Sequence, residues 1–166
     1  PAAPQAAFAI VPICHVTAGL MAKRMGLPIT RFAAATNVND VVPEYLASGD
    51  FRPRPSTATL SNAMDVGNPS NFARILWLYD GKLDAIRADV AGRAYTDENT
   101  RATILDVYER RGYVLDPHSA IGYLGARDHR QKTAVFLATA HAAKFQETVE
   151  AILKTPVPLR PAIAAC

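Results

Sequence analysis

The chain has 166 residues and a mass of 17.9 kDa, with 49% hydrophobic and 20% charged residues, which excludes wholesale disorder and leaves room for one domain with its own core. Eighteen Lys and Arg against 15 Asp and Glu give a formal charge of +3, and these cations are scattered rather than gathered into a stripe or tail, which argues against a nucleic-acid binder. Two cysteines, Cys14 and Cys166, make neither a disulfide framework nor a CxxC metal pair, a usage that fits a reducing cytosol, and no run approaches the ~18 apolar residues of a membrane span.

In chain order, Phe8-Ala9-Ile10-Val11 is a continuous apolar run closed by Pro12, which suits a strand covered on both faces. Thr17 reads as the N-cap of a helix over 18–25, with Gly26 just past its end. Ile29 to Ala34 reads as a second strand, followed by the polar turn Thr36-Asn37-Val38-Asn39 and a helix over 40–47 that Gly49 ends. Strand, helix, strand and helix at this spacing predict a parallel sheet with right-handed crossovers. The Pro- and Arg-bearing stretch from Gly49 to Thr59 is expected to be extended or looped. Asn68 as N-cap and Pro69 at the first helical position then predict a helix through Phe72, Ile75, Leu76 and Tyr79, with a further short helix from Lys82 to Val90. Thr96, followed by Asp97 and Glu98, caps a helix that stops at Gly112, and Asp116-Pro117 opens another over 118–126. Thr133 to Ala138 is the third clear strand, Lys144 to Leu153 the last helix, and residues 154–166 an irregular Pro-rich tail. The opening Pro1-Ala2-Ala3-Pro4 carries no initiator Met and no targeting pattern, so the chain reads as a piece of something longer and is expected to be cytoplasmic.

There is no Gly-rich phosphate loop, no His pair at zinc-helix spacing and no GxSxG elbow. Three segments stand out. Leu60 to Phe72 packs Asp65, Asn68, Ser70 and Asn71 ahead of a helix, where backbone N–H groups and polar side chains suit an anion, although ordinary capping accounts for the same residues. Thr139-Ala140-His141 follows the third strand, at the strand end where open α/β sheets bind ligands, or simply caps the next helix. Asp116-Pro117-His118-Ser119 reads as a cap with an early helical His.

Taken together, these segments resemble threonine synthase of the bacterial and fungal type. The resemblance is carried by TAGLMAKRMGLPI (17–29), AATNVNDVVPEYLASGDF (34–51), STATLSNAMDVGNPSNFARIL (56–76), YTDENT (95–100), LDPHSAIGYL (115–124) and ATAHAAKF (138–145), in that order. It implies an α/β chain with an open, mostly parallel sheet and helices on both faces. This would be the C-terminal part of the pyridoxal-phosphate domain of a fold-type II enzyme, over 1–166. It implies pyridoxal 5′-phosphate as cofactor and electron sink, O-phosphohomoserine and water as substrates, and threonine and phosphate as products. It places Thr139 at the pyridine nitrogen and Asp65, Asn68, Ser70 and Asn71 along or behind the substrate cleft. The expected partners are the small-molecule substrate and an N-terminal remainder of the enzyme, with no nucleic acid and no membrane.

The sequence departs from the family in three places. The family's Schiff-base lysine lies in an N-terminal segment, and Lys23, Lys82, Lys132, Lys144 and Lys154 do not match it. Where the family has a Gly/Asn-rich turn that cradles the cofactor phosphate, this chain has only Ile13-Cys14-His15-Val16. Ala142 stands where the family usually has proline. Cys14 and His15 also raise the reading of a nucleophilic pair. The alternative to the enzyme is therefore a non-catalytic relative that binds a phosphorylated small molecule or a partner protein. A serine/threonine dehydratase is a third reading, against which the Asp65-to-Asn71 segment speaks.

Overall fold

Residues Phe32 to Thr36 are all buried, which only a strand covered on both faces can achieve. The computed structural model describes residues 6–11, 13–128, 134–138 and 140–157. It begins with β1 (Ala6–Val11), α1 (Ile13–Arg24), β2 (Ile29–Thr36) and α2 (Val41–Ser48). A 3₁₀ turn at Asn62–Met64 precedes α3 (Phe72–Leu78), α4 (Leu83–Asp89) and β3 (Val90–Ala94). Then come α5 (Asp97–Arg111), α6 (Pro117–Asp128), β4 (Ala134–Phe136), a second 3₁₀ turn at Ala142–Phe145 and α7 (Gln146–Leu153). The strands lie in the order β3-β2-β1-β4 and pair in parallel throughout.

Alternate residues of β2 supply the two faces. Phe32 and Ala34 pack with Val16 and Leu20 of α1, Tyr45 of α2 and Phe72 and Ile75 of α3. Ala33 and Ala35 face the other way, onto Met64, Tyr95 and the α6 residues Ile121 and Leu124. Helices α5 and α7 pack behind α6 through Ile104, Val107, Val149 and Leu153. The expected α/β architecture, a parallel sheet between two helical layers, is therefore what forms.

Several boundaries differ from the sequence reading. Helix α1 starts at Ile13, so Thr17 is buried inside it and is not its cap. A cap at Thr17 would fall beyond the first turn of a helix that has already begun at Ile13. Its end is as expected: Gly26 has φ +102°, and Leu27 N–H donates to Ala22 O at 2.9 Å while Gly26 N–H donates to Lys23 O at 3.0 Å, a Schellman closure. Helix α3 starts at Phe72, so Asn68 is not its N-cap and Pro69 not its first residue. The cause lies just upstream, where Gly67 O accepts from Arg54 N–H at 3.0 Å and holds the chain in a loop crossing. A Cβ at position 67 would stand 1.8 Å from Arg54 O. Val90, read from the sequence as the end of a helix, opens strand β3, which the sequence does not announce because Val-Ala-Gly-Arg-Ala buries only Val90 fully. Gly92 there admits α2, since a Cβ would come within 2.8 Å of Pro43 Cα. Thr96 does cap α5, in a box completed by Asn99. The last helix begins as the 3₁₀ turn, and of the tail only 154–157 is described, without regular structure.

Replacing Phe32, 1% exposed, by Ala should lower the unfolding free energy in urea by about 3–5 kcal/mol. Thr96→Ala should cost only about 1 kcal/mol.

Candidate functional site

Because every strand is parallel, all four leave the sheet at one edge, where open α/β sheets place their ligands. The loop after α2 runs back over this edge and is fastened there by Asp65. Asp65 Oδ1 accepts from Asn37 Nδ2 at 2.8 Å, Asn39 Nδ2 at 3.1 Å and Thr59 Oγ1 at 2.7 Å, and its Oδ2 accepts from Thr59 N–H at 3.0 Å. Asn39 imitates a strand neighbour: its Nδ2 donates to Thr57 O at 2.9 Å and its Oδ1 accepts from Thr57 N–H at 2.8 Å. Asn37 Oδ1 in turn accepts from Asn39 N–H at 3.0 Å. Asn37, Asn39 and Ser61 are buried, so these bonds form in a medium that strengthens them. Leu60 N–H donates to Asp97 Oδ1 at 3.2 Å, tying the same loop to the start of α5.

The third anchor is His118. Ala63 N–H donates to His118 Nε2 at 3.1 Å, which fixes that nitrogen as an acceptor. The proton therefore sits on Nδ1, 3.0 Å from Asp116 Oδ1. Asp116 also accepts from His118 N–H at 2.9 Å and from Ser119 Oγ, capping α6. Burial alone would raise the Asp116 carboxyl, but hydrogen bonds from His118 and Ser119 outweigh it and hold it below the ordinary carboxylate value. A cavity of about 240 Å³ opens beside this cap, lined in part by Asp116, Ser119, Tyr113 and His141.

The four residues expected along the cleft take different places. Asp65 is the inward-facing hub, Asn71 Nδ2 lies 3.4 Å from Thr17 Oγ1, and Asn68 and Ser70 are exposed. Thr139 lies outside the described residues. Cys14 and His15 fall in the first turn of α1. The partners that sequence reasoning misses are Asn37, Asn39, Thr59 and Ser61, because the Asn-x-Asn after a buried strand reads as a turn alone.

Residues 119–165 match a family model described as threonine synthase, C-terminal. The chain is 47% identical over 151 residues to a threonine synthase of Serratia marcescens, covering 90% of this chain and 35% of that protein. It is 46% identical over 140 residues to that of Escherichia coli (strain K12), covering 83% of this chain and 32% of the relative. The crystal structure of threonine synthase from Escherichia coli superposes with a TM-score of 0.87 at 40% identity, covering 99% of this chain and 40% of the other. A pyridoxal-phosphate-bound threonine synthase from Brucella melitensis gives 0.89 at 36% identity, over 98% and 41%. Maize serine racemase, at 16% identity and a TM-score of 0.54, shares the fold.

The chain thus has the fold of the fold-type II pyridoxal-phosphate enzymes. Within that class its sequence and structure match threonine synthase, in the C-terminal portion of that family, and it spans only about a third of the length of the curated relatives named here.

His118→Phe keeps a ring in place but removes the acceptor, so hydrogen exchange at the Ala63 amide should accelerate well beyond that at α5 amides, read by NMR or mass spectrometry. Acid should act through Asp116. Its folded-state pKa is depressed, so its contribution is full above the unfolded value near pH ~4 and is lost as pH falls through the folded value. Melting temperature measured from pH 6 downward should fall below about pH 4 less steeply in Asp116→Asn than in the parent.

Proposed function

We propose that this chain serves in threonine synthase chemistry, the lyase conversion of O-phosphohomoserine and water to threonine and phosphate with pyridoxal 5′-phosphate. The observation that carries this reading is the likeness to threonine synthases over nearly the whole chain, in sequence and in fold. The cofactor, when bound in such an enzyme, supplies the electron sink for proton removal beside the amino group.

The residues described here do not by themselves fit that group. Its aldehyde needs an amine, yet Lys23 is engaged with Thr30 O and Asp89, both at 2.6 Å, and Lys82 stands 3.7 Å from Asp80. Lys144 and Lys154 are exposed, and Lys132 lies outside the described residues. Its phosphate needs a flexible cradle of backbone N–H groups, and β1 passes into α1 through one residue with no glycine.

What this chain contributes in the proposed reaction is a fixed wall. Asn37, Asn39, Thr59 and Asp65 hold the loop over the strand ends, and His118 pins the loop to α6. Such a wall keeps a cleft from relaxing around its substrate, which is where positioning yields rate. Asp65 is proposed as a support behind the cleft, and Asn68, Ser70 and Asn71 as residues near its rim. Thr139 is proposed as the hydroxyl partner of the pyridine nitrogen.

The one-residue connection between β1 and α1 favours a second reading, a relative that keeps the fold without the catalysis. One assay separates the two. The protein isolated from its source, with whatever co-purifies and with pyridoxal 5′-phosphate added, should release phosphate from O-phosphohomoserine in step with threonine. Asp65→Ala should slow that release by about tenfold, a loss of roughly 1.4 kcal/mol of positioning. Absence of phosphate release from the parent protein would establish the non-catalytic reading.

A further inference from the structure

The outer side of α3 and the last turn of α1 form an apolar groove that the strand-end chemistry does not use. Met21, Met25, Trp77 and Leu78 line it together with Arg24 and Arg74, around a volume of about 430 Å³. Helix α3 turns Phe72, Ile75 and Leu78 inward, which leaves Trp77 81% exposed, while Met25 is 87% and Met21 52% exposed. Large side chains gathered at this density on a surface mark a place where something docks. Methionine thioethers bend to fit the partner, and Trp and Arg are the residues that most often anchor such contacts.

We propose that this groove receives an acidic amphipathic helix of a partner protein. Its apolar face would cover Trp77 and Met25, and its carboxylates would meet Arg24 and Arg74. The charge pattern chooses this occupant. Among the described residues, no carboxylate lines the groove. The Arg24 guanidinium stands 5.0 Å above the Tyr79 ring, and the nearby carboxylate of Asp89 is already taken by Lys23 Nζ and Tyr79 Oη, each at 2.6 Å. The groove thus sets two cations beside an apolar floor, Arg74 exposed and Arg24 shared only in part with Asp89, the arrangement that selects a helix carrying apolar residues flanked by acids. A second copy docked about a two-fold axis would set the same two arginines against themselves, which like-charge repulsion opposes.

Trp77 is the only tryptophan in the chain, so its emission reads the groove directly. The full chain is titrated with a synthetic helix bearing Leu on one face and Glu on its flanks, and separately with the same peptide carrying Lys for Glu. The Glu peptide should blue-shift Trp77 emission to saturation, with an affinity that falls as salt is raised and is at least about tenfold tighter than that of the Lys peptide. Arg74 is exposed on α3, so Arg74→Glu should retain the parent melting curve and reverse the preference. The proposal is overturned if neither peptide shifts the emission or if both do so equally. A blue shift with protein concentration alone, in the absence of peptide, overturns it in favour of a second copy.

Discussion

A parallel sheet delivers all its strands to one edge and leaves the backbone there to be finished by whatever lies above it. In this chain the finishing is done by one carboxylate. Asp65 takes four hydrogen bonds from three residues, two of them buried asparagines on the turn out of β2. An unpaired carboxylate or a stranded amide in that position would cost about 1–3 kcal/mol each, so the cluster stands or falls as a unit. The loop over the edge takes its path from this unit, and the contacts of Leu60 with Asp97 and of Ala63 with His118 are placed by that path.

Beneath the loop, the sheet solves a packing problem with small residues. β2 carries Ala33, Ala34 and Ala35 at the centre, so helices on either side approach closely, and Phe32 fills the wider space under α1. Gly19 belongs to the same solution, since a Cβ there would lie 2.5 Å from the Phe32 ring. The polar cluster sits on a floor that has little freedom to shift, which is what a positioning wall requires.

The sequence made the layered parallel architecture readable, because a two-sided apolar strand, capped helices and left-handed glycines are local signals. Thr96 before Asp97, and Gly26, Gly49 and Gly112 after their helices, all act as their residue types suggest. The elements misjudged were those whose limits are set from a distance. Asn68-Pro69 looks like a helix start until the Arg54–Gly67 crossing is known, and β3 is too short and too exposed to show itself by period. The same divide runs through the site. Asp65 and Asp116-His118-Ser119 were legible as unusual residues, but not that Asp65 would face inward to Asn37 and Asn39 across more than twenty residues, nor that His118 would reach the backbone of Ala63. Side chains that bond to distant backbone leave no spacing in the sequence.

The register of the sheet also bears on how the chain acquires its shape. β1 is central, yet it pairs on one side with β2, which follows closely, and on the other with β4, where Phe8 stands opposite Ala134. Closing that second pairing means bringing together points separated by nearly the whole described chain, a loop whose entropy must be met before any ladder bond rewards it. The β1–β2–β3 half can gather early during synthesis, since its partners emerge in succession. One edge of β1 then stays unpaired until β4 leaves the ribosome. The slow phase of folding, and the interval of greatest risk of self-association, should belong to the docking of β4.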